Sequence, residues 1–284
     1  MVACSDPPLL PLRRRTDETP TYGQLLSTSV QLIWFAINRV VNYRDLPYVS
    51  LMLIAPLLHL LRFRGELKTP VGKLRIERSD VLRWSIYGLI KTKFCYMRML
   101  ESPRFRNIPR SIILDVGANL GDFTMALASK AKRVISIEPG QKNFVLLCSN
   151  LRANSLNQVI PLNVAAHDCM EKLSLDGIGA DLRVTKFDGE ELTIGMPLDD
   201  VLRTHEVEIL DIVKIDVQGH EAVALRGMSS YLKAHRVGLI IVEIHPHRNI
   251  KVTDIVTLLE PFGYELTTAD YLFGRPQLYF ETVR

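Results

Sequence analysis

Apolar and polar positions change their spacing along this chain, and from 112 onward the change is regular. Ile112, Ile113 and Leu114 form a short run, two of the three β-branched, which predicts a buried strand. Phe123, Ala126, Leu127 and Ala131 then recur at helical spacing. Val134, Ile135 and Ile137 predict a second strand, 142–153 a helix, 159–165 a third strand, 209–215 a fourth and 237–244 a fifth. Strands that alternate with helices imply an α/β, doubly wound and mostly parallel sheet covered on both faces. Residues 264–268 and 277–283, joined through Phe273, Gly274, Arg275 and Pro276, predict a closing antiparallel hairpin. The polar stretch 173–195, with two short strand-like pieces, is expected to cross over the strand ends.

The first hundred residues follow another pattern. Leu25, Leu26, Val30, Ile33, Trp34, Ile37, Val40 and Val41 fall at helical spacing, which predicts an amphipathic helix over 24–41. Residues 46–61 are almost wholly apolar, yet the run is shorter than the about 20 residues of a spanning helix and contains Pro47, Pro56 and His59. Arg44, Arg62 and Arg64 flank it. This apolar extension, 23–64, is read as a cap on the following domain, a homodimer surface or a peripheral membrane contact. A turn at 70–72 predicts a hairpin within 66–80; Leu82, Ile86, Leu89, Ile90 and Phe94 predict a helix over 81–100; 102–110 reads as a linker. The expected division is a flexible tail at 1–22, the extension at 23–64, hairpin, helix and linker at 65–108, and a ligand-binding domain at 109–284.

Composition narrows the classes. With 284 residues, 47% of them hydrophobic, the chain can fill a real core. Its 35 basic and 31 acidic residues leave a net charge of only +4 and form no basic stripe, so nucleic acid is not an expected partner. Cys4, Cys95, Cys148 and Cys169 are far apart, which suggests neither a zinc site nor a disulfide framework. The cysteines assign no metal site. Residues 1–21 lack the apolar segment of a signal peptide, and the expected location is the cytoplasm, with membrane association through 23–64 as the alternative.

The candidate chemistry begins in the loop after the first strand, Asp115-Val116-Gly117-Ala118-Asn119-Leu120-Gly121. Gly117 and Gly121 let the backbone bend and leave room for a ligand, and the helix that follows offers unpaired N–H groups. Asp115 would repel a pyrophosphate but attract an ammonium, and the third glycine of a dinucleotide fingerprint is missing. Both points disfavour a nicotinamide-dependent oxidoreductase and favour S-adenosylmethionine, which carries an ammonium, a sulfonium and a ribose without phosphate. Glu138, at the end of the second strand, is placed to take the ribose hydroxyls.

In such sheets ligands sit outside the carboxyl ends of the strands. The fourth strand ends in Asp216, Gln218, His220 and Glu221, and the fifth in Glu243 and His245, so these acids and histidines are expected on one rim. The alternative arrangement is a structural ion pair between Lys214 and Glu221, with His220 capping the next helix.

Several segments carry a resemblance: 115–124, Glu138-Pro139, 197–202, 214–221 and Leu225-Arg226-Gly227-Met228 together resemble an FkbM-type S-adenosylmethionine-dependent methyltransferase. It covers about 110–284 in order and spacing, except that the family usually has glutamate where this chain has Gln218. The resemblance implies a Rossmann-like class I methyltransferase sheet of seven strands and O-methylation of a hydroxyl on a small-molecule, lipid or glycan acceptor. By motif, Asp115, Gly117, Asn119 and Gly121 would line the methionine part of the cofactor, Glu138 would hold the ribose and Ala165 would sit against the adenine. His220 is the expected general base, since its unperturbed pKa is near neutrality, with Asp216 orienting the acceptor and Glu221 fixing the imidazole. Glu243 and His245 are the alternative base or metal partners. A rival reading is a membrane- or partner-docked cofactor-binding module without catalysis.

Overall fold

Each apolar run named from 112 onward contributes a strand to one sheet. The computed structural model describes residues 65–76, 88–89, 91–177, 182–185, 191–272 and 275–283, together with 50 and 189. In chain order the elements are β1 (Gly65–Thr69), β2 (Gly72–Ile76), a π-helical turn (Thr92–Met97) running into α1 (Arg98–Leu100), β3 (Ile112–Val116), α2 (Asp122–Ala128), β4 (Arg133–Ile137), α3 (Gln141–Ala153) and β5 (Val159–Leu162). Next come β6 (Ala165–His167), β7 (Glu171–Asp176), β8 (Arg183–Thr185), β9 (Glu191–Pro197), α4 (Leu198–Thr204) and β10 (Leu210–Ile215). The remainder is α5 (Glu221–Arg226), α6 (Ser229–Lys233), β11 (Val237–Glu243), α7 (Val252–Leu259), β12 (Tyr264–Leu272) and β13 (Arg275–Thr282).

The seven-stranded sheet has the order β12-β13-β11-β10-β3-β4-β5. Strands β5, β4, β3, β10 and β11 run parallel, and β13 lies antiparallel between β11 and β12. The chain leaves β3 toward one edge and returns to its other side as β10, so the crevice for a ligand opens where those two strand ends part.

Alternate residues face opposite sides, as a pleated strand requires. Leu114, Val116, Val213, Ile215, Ile240 and Val242 pack under Leu198, Leu202, Leu225, Leu232, Ile255 and Leu259. Ile113, Ile212, Leu239 and Ile241 pack on the other face with Tyr96, Phe105, Phe123, Leu127 and Leu147. The doubly wound, mostly parallel sheet of seven strands that was expected is the one observed.

Three expectations change in detail. The third strand stops at Leu162, because the Asn163 amide donates to the carbonyls of Glu138 and Pro139, both 2.9 Å, and the chain turns there. Ala165 therefore starts a different sheet. The crossing stretch is a four-stranded sheet of order β6-β9-β7-β8, more regular than the two pieces expected. Of the helix expected over 81–100, the described part contains a π turn at Thr92–Met97. The β1–β2 hairpin is held to α3 by two asparagines: Asn154 exchanges two 2.8 Å bonds with the Lys73 backbone, and Asn150 accepts from the Arg75 N–H at 2.7 Å. The helices expected at 24–41 and 46–61 lie outside the described residues, save 50. Among the described residues no helix is long and apolar enough to cross a membrane.

Candidate functional site

Sheet register sets the polar floor of the site. Asp115 on β3 stands beside Ser136 on β4 and Lys214 on β10. All three side chains are buried on the face that carries Ile113 and Ile212, where Asp115 pairs with Lys214 and Ser136 lies 2.7 Å from the Thr124 hydroxyl. Lys214 Nζ lies 3.1 Å from Asp115 Oδ1 and donates to the Gly117 carbonyl at 2.8 Å, while Thr124 donates to Asp115 Oδ2 at 2.7 Å. Burial alone would lower the Lys214 pKa, but Asp115 and Asp216 outweigh it and hold it above the ordinary lysine value.

A cavity open to solvent lies over this floor. Gly117, Asn119 and Asp122 line one side with Glu138 and Asn143; Ile137, Ala165, Ala166, Leu182 and Val184 supply an apolar wall; Lys91, Tyr96, Asp216, Gln218, His220 and Arg275 complete the other side.

The Gly117 side is built mostly from backbone. Glu138 accepts from the N–H groups of Asn119 (2.9 Å) and Gly140 (3.0 Å) and from the Asn143 amide (3.2 Å). Burial raises its pKa to about 7 against the pull of those donors. Gly117 has φ +76°, and a Cβ there would meet the Asp216 carbonyl oxygen at 1.9 Å, so the missing side chain admits the neighbouring strand end. Gly121, at φ +91°, makes room for Leu147 of α3 in the same way.

The other side is built from side chains. Lys91 Nζ sits 2.6 Å from Asp216 Oδ2 and 2.9 Å from Glu243 Oε2, and Tyr96 donates to the same Glu243 oxygen at 3.0 Å. Burial would raise the Asp216 pKa, but Lys91, Lys214 and His245 hold it far below the usual carboxylate range. Gln218 holds a left-handed backbone, φ 56°, with Gly219 following at φ 102°, which turns the chain sharply at the strand end. His220 stacks obliquely on His167, ring centroids 5.0 Å apart, and burial followed by the His167 charge lowers its pKa to about 4. Asp216 Oδ1, Gln218 Oε1 and His220 Nε2 are buried and have no hydrogen-bond partner among the described residues.

Of the residues singled out in the sequence, Gly117, Asn119, Glu138, Ala165, Asp216 and His220 line this cavity together. Asp115 and Gly121 do not: the first is committed beneath the loop to Lys214 and Thr124, the second to packing. Glu221 does not hold His220. Its Oε1 lies 2.7 Å from His245 Nδ1 and accepts from the Gly219 N–H at 3.0 Å. The alternative pairing of Lys214 with Glu221 is also not found, because Asp115 takes the lysine. Glu243 and His245 are fully buried behind Asp216, with His245 Nε2 at 3.5 Å from Asp216 Oδ1 and 3.6 Å from Glu243 Oε1. Donor atoms of Asp216, Glu243 and His245 lie within 4.8 Å of one another, as do those of His167, Asp168 and Cys169. In the second group Arg226 already takes Asp168 at 3.0 Å.

Sequence reasoning missed Lys91, Tyr96, Asp122, Arg275 and the role of Lys214. One signal was available: a lysine inside the otherwise apolar end of a buried parallel strand, Ile212-Val213-Lys214-Ile215, needs a buried acid beside it.

Residues 115–266 match the methyltransferase FkbM domain. The hexuronic acid methyltransferase AglP of Haloferax volcanii is 29% identical over 175 residues, 58% of this chain and 71% of that protein. A tRNA(Phe) (4-demethylwyosine(37)-C(7)) aminocarboxypropyltransferase of Methanocaldococcus jannaschii is 30% identical over 118 residues, 38% of this chain and 47% of that protein. Among solved structures, the FkbM methyltransferase of Methylobacillus flagellatus aligns with a TM-score of 0.50 at 18% identity, over 84% of this chain and 62% of its own length. The chain thus spans less than two thirds of that structure, and the likeness shows the fold. With the domain matched over more than half of its residues, the chain belongs to the FkbM methyltransferase family and carries an S-adenosylmethionine-dependent methyltransferase domain.

Proposed function

We propose that the cavity holds S-adenosylmethionine against its Gly117 and Glu138 side and that a hydroxyl of a small acceptor enters from the Asp216 and His220 side. Three features support the cofactor placement. The carboxylate of Glu138 has accepting capacity beyond the three donors it already meets, which suits ribose hydroxyls. The wall of Ile137, Ala165 and Leu182 suits an adenine ring. Asp122, at the head of α2, takes the ammonium-attracting role expected of Asp115, since it lines the cavity where Asp115 does not.

The observation that carries the acceptor reading is the trio of unpartnered buried atoms, Asp216 Oδ1, Gln218 Oε1 and His220 Nε2, on one side of one cavity. Two of them can only accept hydrogen bonds and the third accepts when the imidazole is neutral on that nitrogen, so the side is built for a ligand rich in hydroxyl donors. A sugar fits best, and the hexuronic acid methyltransferase relative supports that class, ahead of a lipid head group or another small metabolite. The cofactor supplies an electrophilic methyl group. His220 Nε2 takes the hydroxyl proton, and Asp216 and Gln218 orient the acceptor oxygen toward the methyl group that the bound cofactor would release from its sulfonium. Most of the rate enhancement then comes from alignment, which can supply about 7–11 kcal/mol.

Incubating a cell extract with the full chain and isotopically labelled methyl donor tests this reading. Label on a glycan or uronic acid fraction supports it, and label confined to protein or nucleic acid overturns it. The apolar residues 23–64 are proposed as a peripheral membrane or homodimer contact. Liposome flotation and light scattering of the full chain against a chain starting at residue 66 test that contact, which is lost if the two behave alike.

A further inference from the structure

Lys91 and Tyr96 both reach Glu243 Oε2, at 2.9 and 3.0 Å, although they are five residues apart. On an α-helix that spacing would put them about 140° apart around the axis. The π-helical turn Thr92–Met97 follows directly on Lys91, and its wider i→i+5 closure brings both side chains to one carboxylate. Such turns are rare and cost regular hydrogen bonding, so their presence asks for a reason.

The reason lies in the cluster beneath. Asp216, Glu243 and His245 present donor atoms within 4.8 Å of one another, a ligand set of the kind that takes a divalent cation. Two buried carboxylates need two positive charges. Here Lys91 supplies one by direct contact with both acids, and Arg275, 3.5 Å from Glu243 Oε1, supplies the other. His245 is committed to Glu221 through Nδ1 and stands 3.5 Å from Asp216 Oδ1 through Nε2, and Lys214 lies closer to Asp115 (3.1 Å) than to Asp216 (3.7 Å). Asp216 Oδ1 and Glu243 Oε1 still lack hydrogen-bond partners among the described residues, and both side chains are at least nine-tenths buried.

We propose that Lys91 is the resident cation of the acceptor half: the π turn places its ammonium among ligands that would otherwise bind a divalent metal, where it anchors Asp216 Oδ2 and leaves Oδ1 to the acceptor. Lys91 is thus a positioning residue that acts through Asp216, and its catalytic consequence rests on the methyl-transfer reading above.

The test is a Mn²⁺ titration of the full chain and of Lys91→Ala, followed by electron paramagnetic resonance and by melting temperature. The unaltered chain is expected to bind no Mn²⁺ through Asp216. Lys91→Ala is expected to take up one ion per chain, about tenfold or more tighter than the unaltered chain, and to lose it again in Lys91→Ala/Asp216→Asn. A Lys91→Ala chain that melts early and is brought back by Mn²⁺ supports the proposal equally, because a metal that binds only the folded state stabilises it. Stoichiometric Mn²⁺ on the unaltered chain that Asp216→Asn removes overturns the proposal, and so does a Lys91→Ala chain indifferent to Mn²⁺. In the labelled-methyl assay, Mn²⁺ is expected to restore Lys91→Ala to within about tenfold of the unaltered chain. A metal-loaded variant with no recovery overturns the positioning role. The Mn²⁺ binding and melting readings involve neither methyl donor nor acceptor, so they stand or fall apart from the proposed function, which S-adenosylhomocysteine calorimetry on the unaltered chain tests separately.

Discussion

The two sides of the cavity are made in opposite ways. The Gly117 side comes from one strand–loop–helix unit and the end of the adjacent strand, and its key carboxylate, Glu138, is held by backbone N–H groups from Asn119 and Gly140. The Asp216 side comes from side chains that meet across the fold, with Lys91 and Asp216 separated by 125 positions. The first depends on backbone shape and the second on charge balance. Loss of a single side chain should therefore affect them differently.

The largest expected effect falls on the Asp216 side. His220→Ala should lower methyl incorporation by about 10²–10⁴-fold, the range of a general base, while leaving cofactor affinity within about twofold. Equal loss of both would move His220 to the cofactor side. Its pKa, lowered to about 4, keeps the imidazole neutral down to that pH, so turnover at saturating cofactor should hold through pH 6.5 and fall only near 4. A fall near 6.5 would assign the proton to another group.

The shared floor comes next. Lys214→Met leaves Asp115 buried without its ion-pair partner and should cost about 3–5 kcal/mol in denaturant unfolding. A loss under about 1 kcal/mol would mean that Thr124 alone satisfies the acid.

The Glu138 side responds to pH in the cofactor-free protein. Its carboxyl is raised from 4.5 to about 7, so between those values the folded state holds a proton that the unfolded state has lost. Stability should fall by about 3 kcal/mol as pH rises through that window and level off above it. Glu138→Gln should remove this slope, so that the variant is the more stable protein at pH 8 but not at pH 4.5. An unchanged slope would place the titration elsewhere.

The same contrast explains what was readable in the chain. Strands β3, β4, β10 and β11 and the closing hairpin were legible, since each is a local run of apolar residues bounded by turn residues. The Gly117 loop was legible for the same reason. Its chemistry was only partly so: Asp115 looked like a ligand contact because nothing local reveals that Lys214 stands beside it in the next strand. Glu221 looked like a partner for His220, its neighbour in sequence, yet it points to His245 on another strand. Lys91 and Tyr96 were invisible. Their stretch reads as an amphipathic helix, and spacing does not show the π turn that gathers both on Glu243. Spacing reports local periodicity, whereas buried charge is paired by the tertiary structure.

The most direct measurement is a calorimetric titration of S-adenosylhomocysteine into the unaltered chain, Glu138→Ala and His220→Ala. One micromolar site in the unaltered chain, weakened by about 10–100-fold in Glu138→Ala and unchanged in His220→Ala, is the predicted result. An unaltered chain that gives no heat, or a Glu138→Ala chain that binds as tightly as the parent, would contradict the division of the cavity on which the account rests.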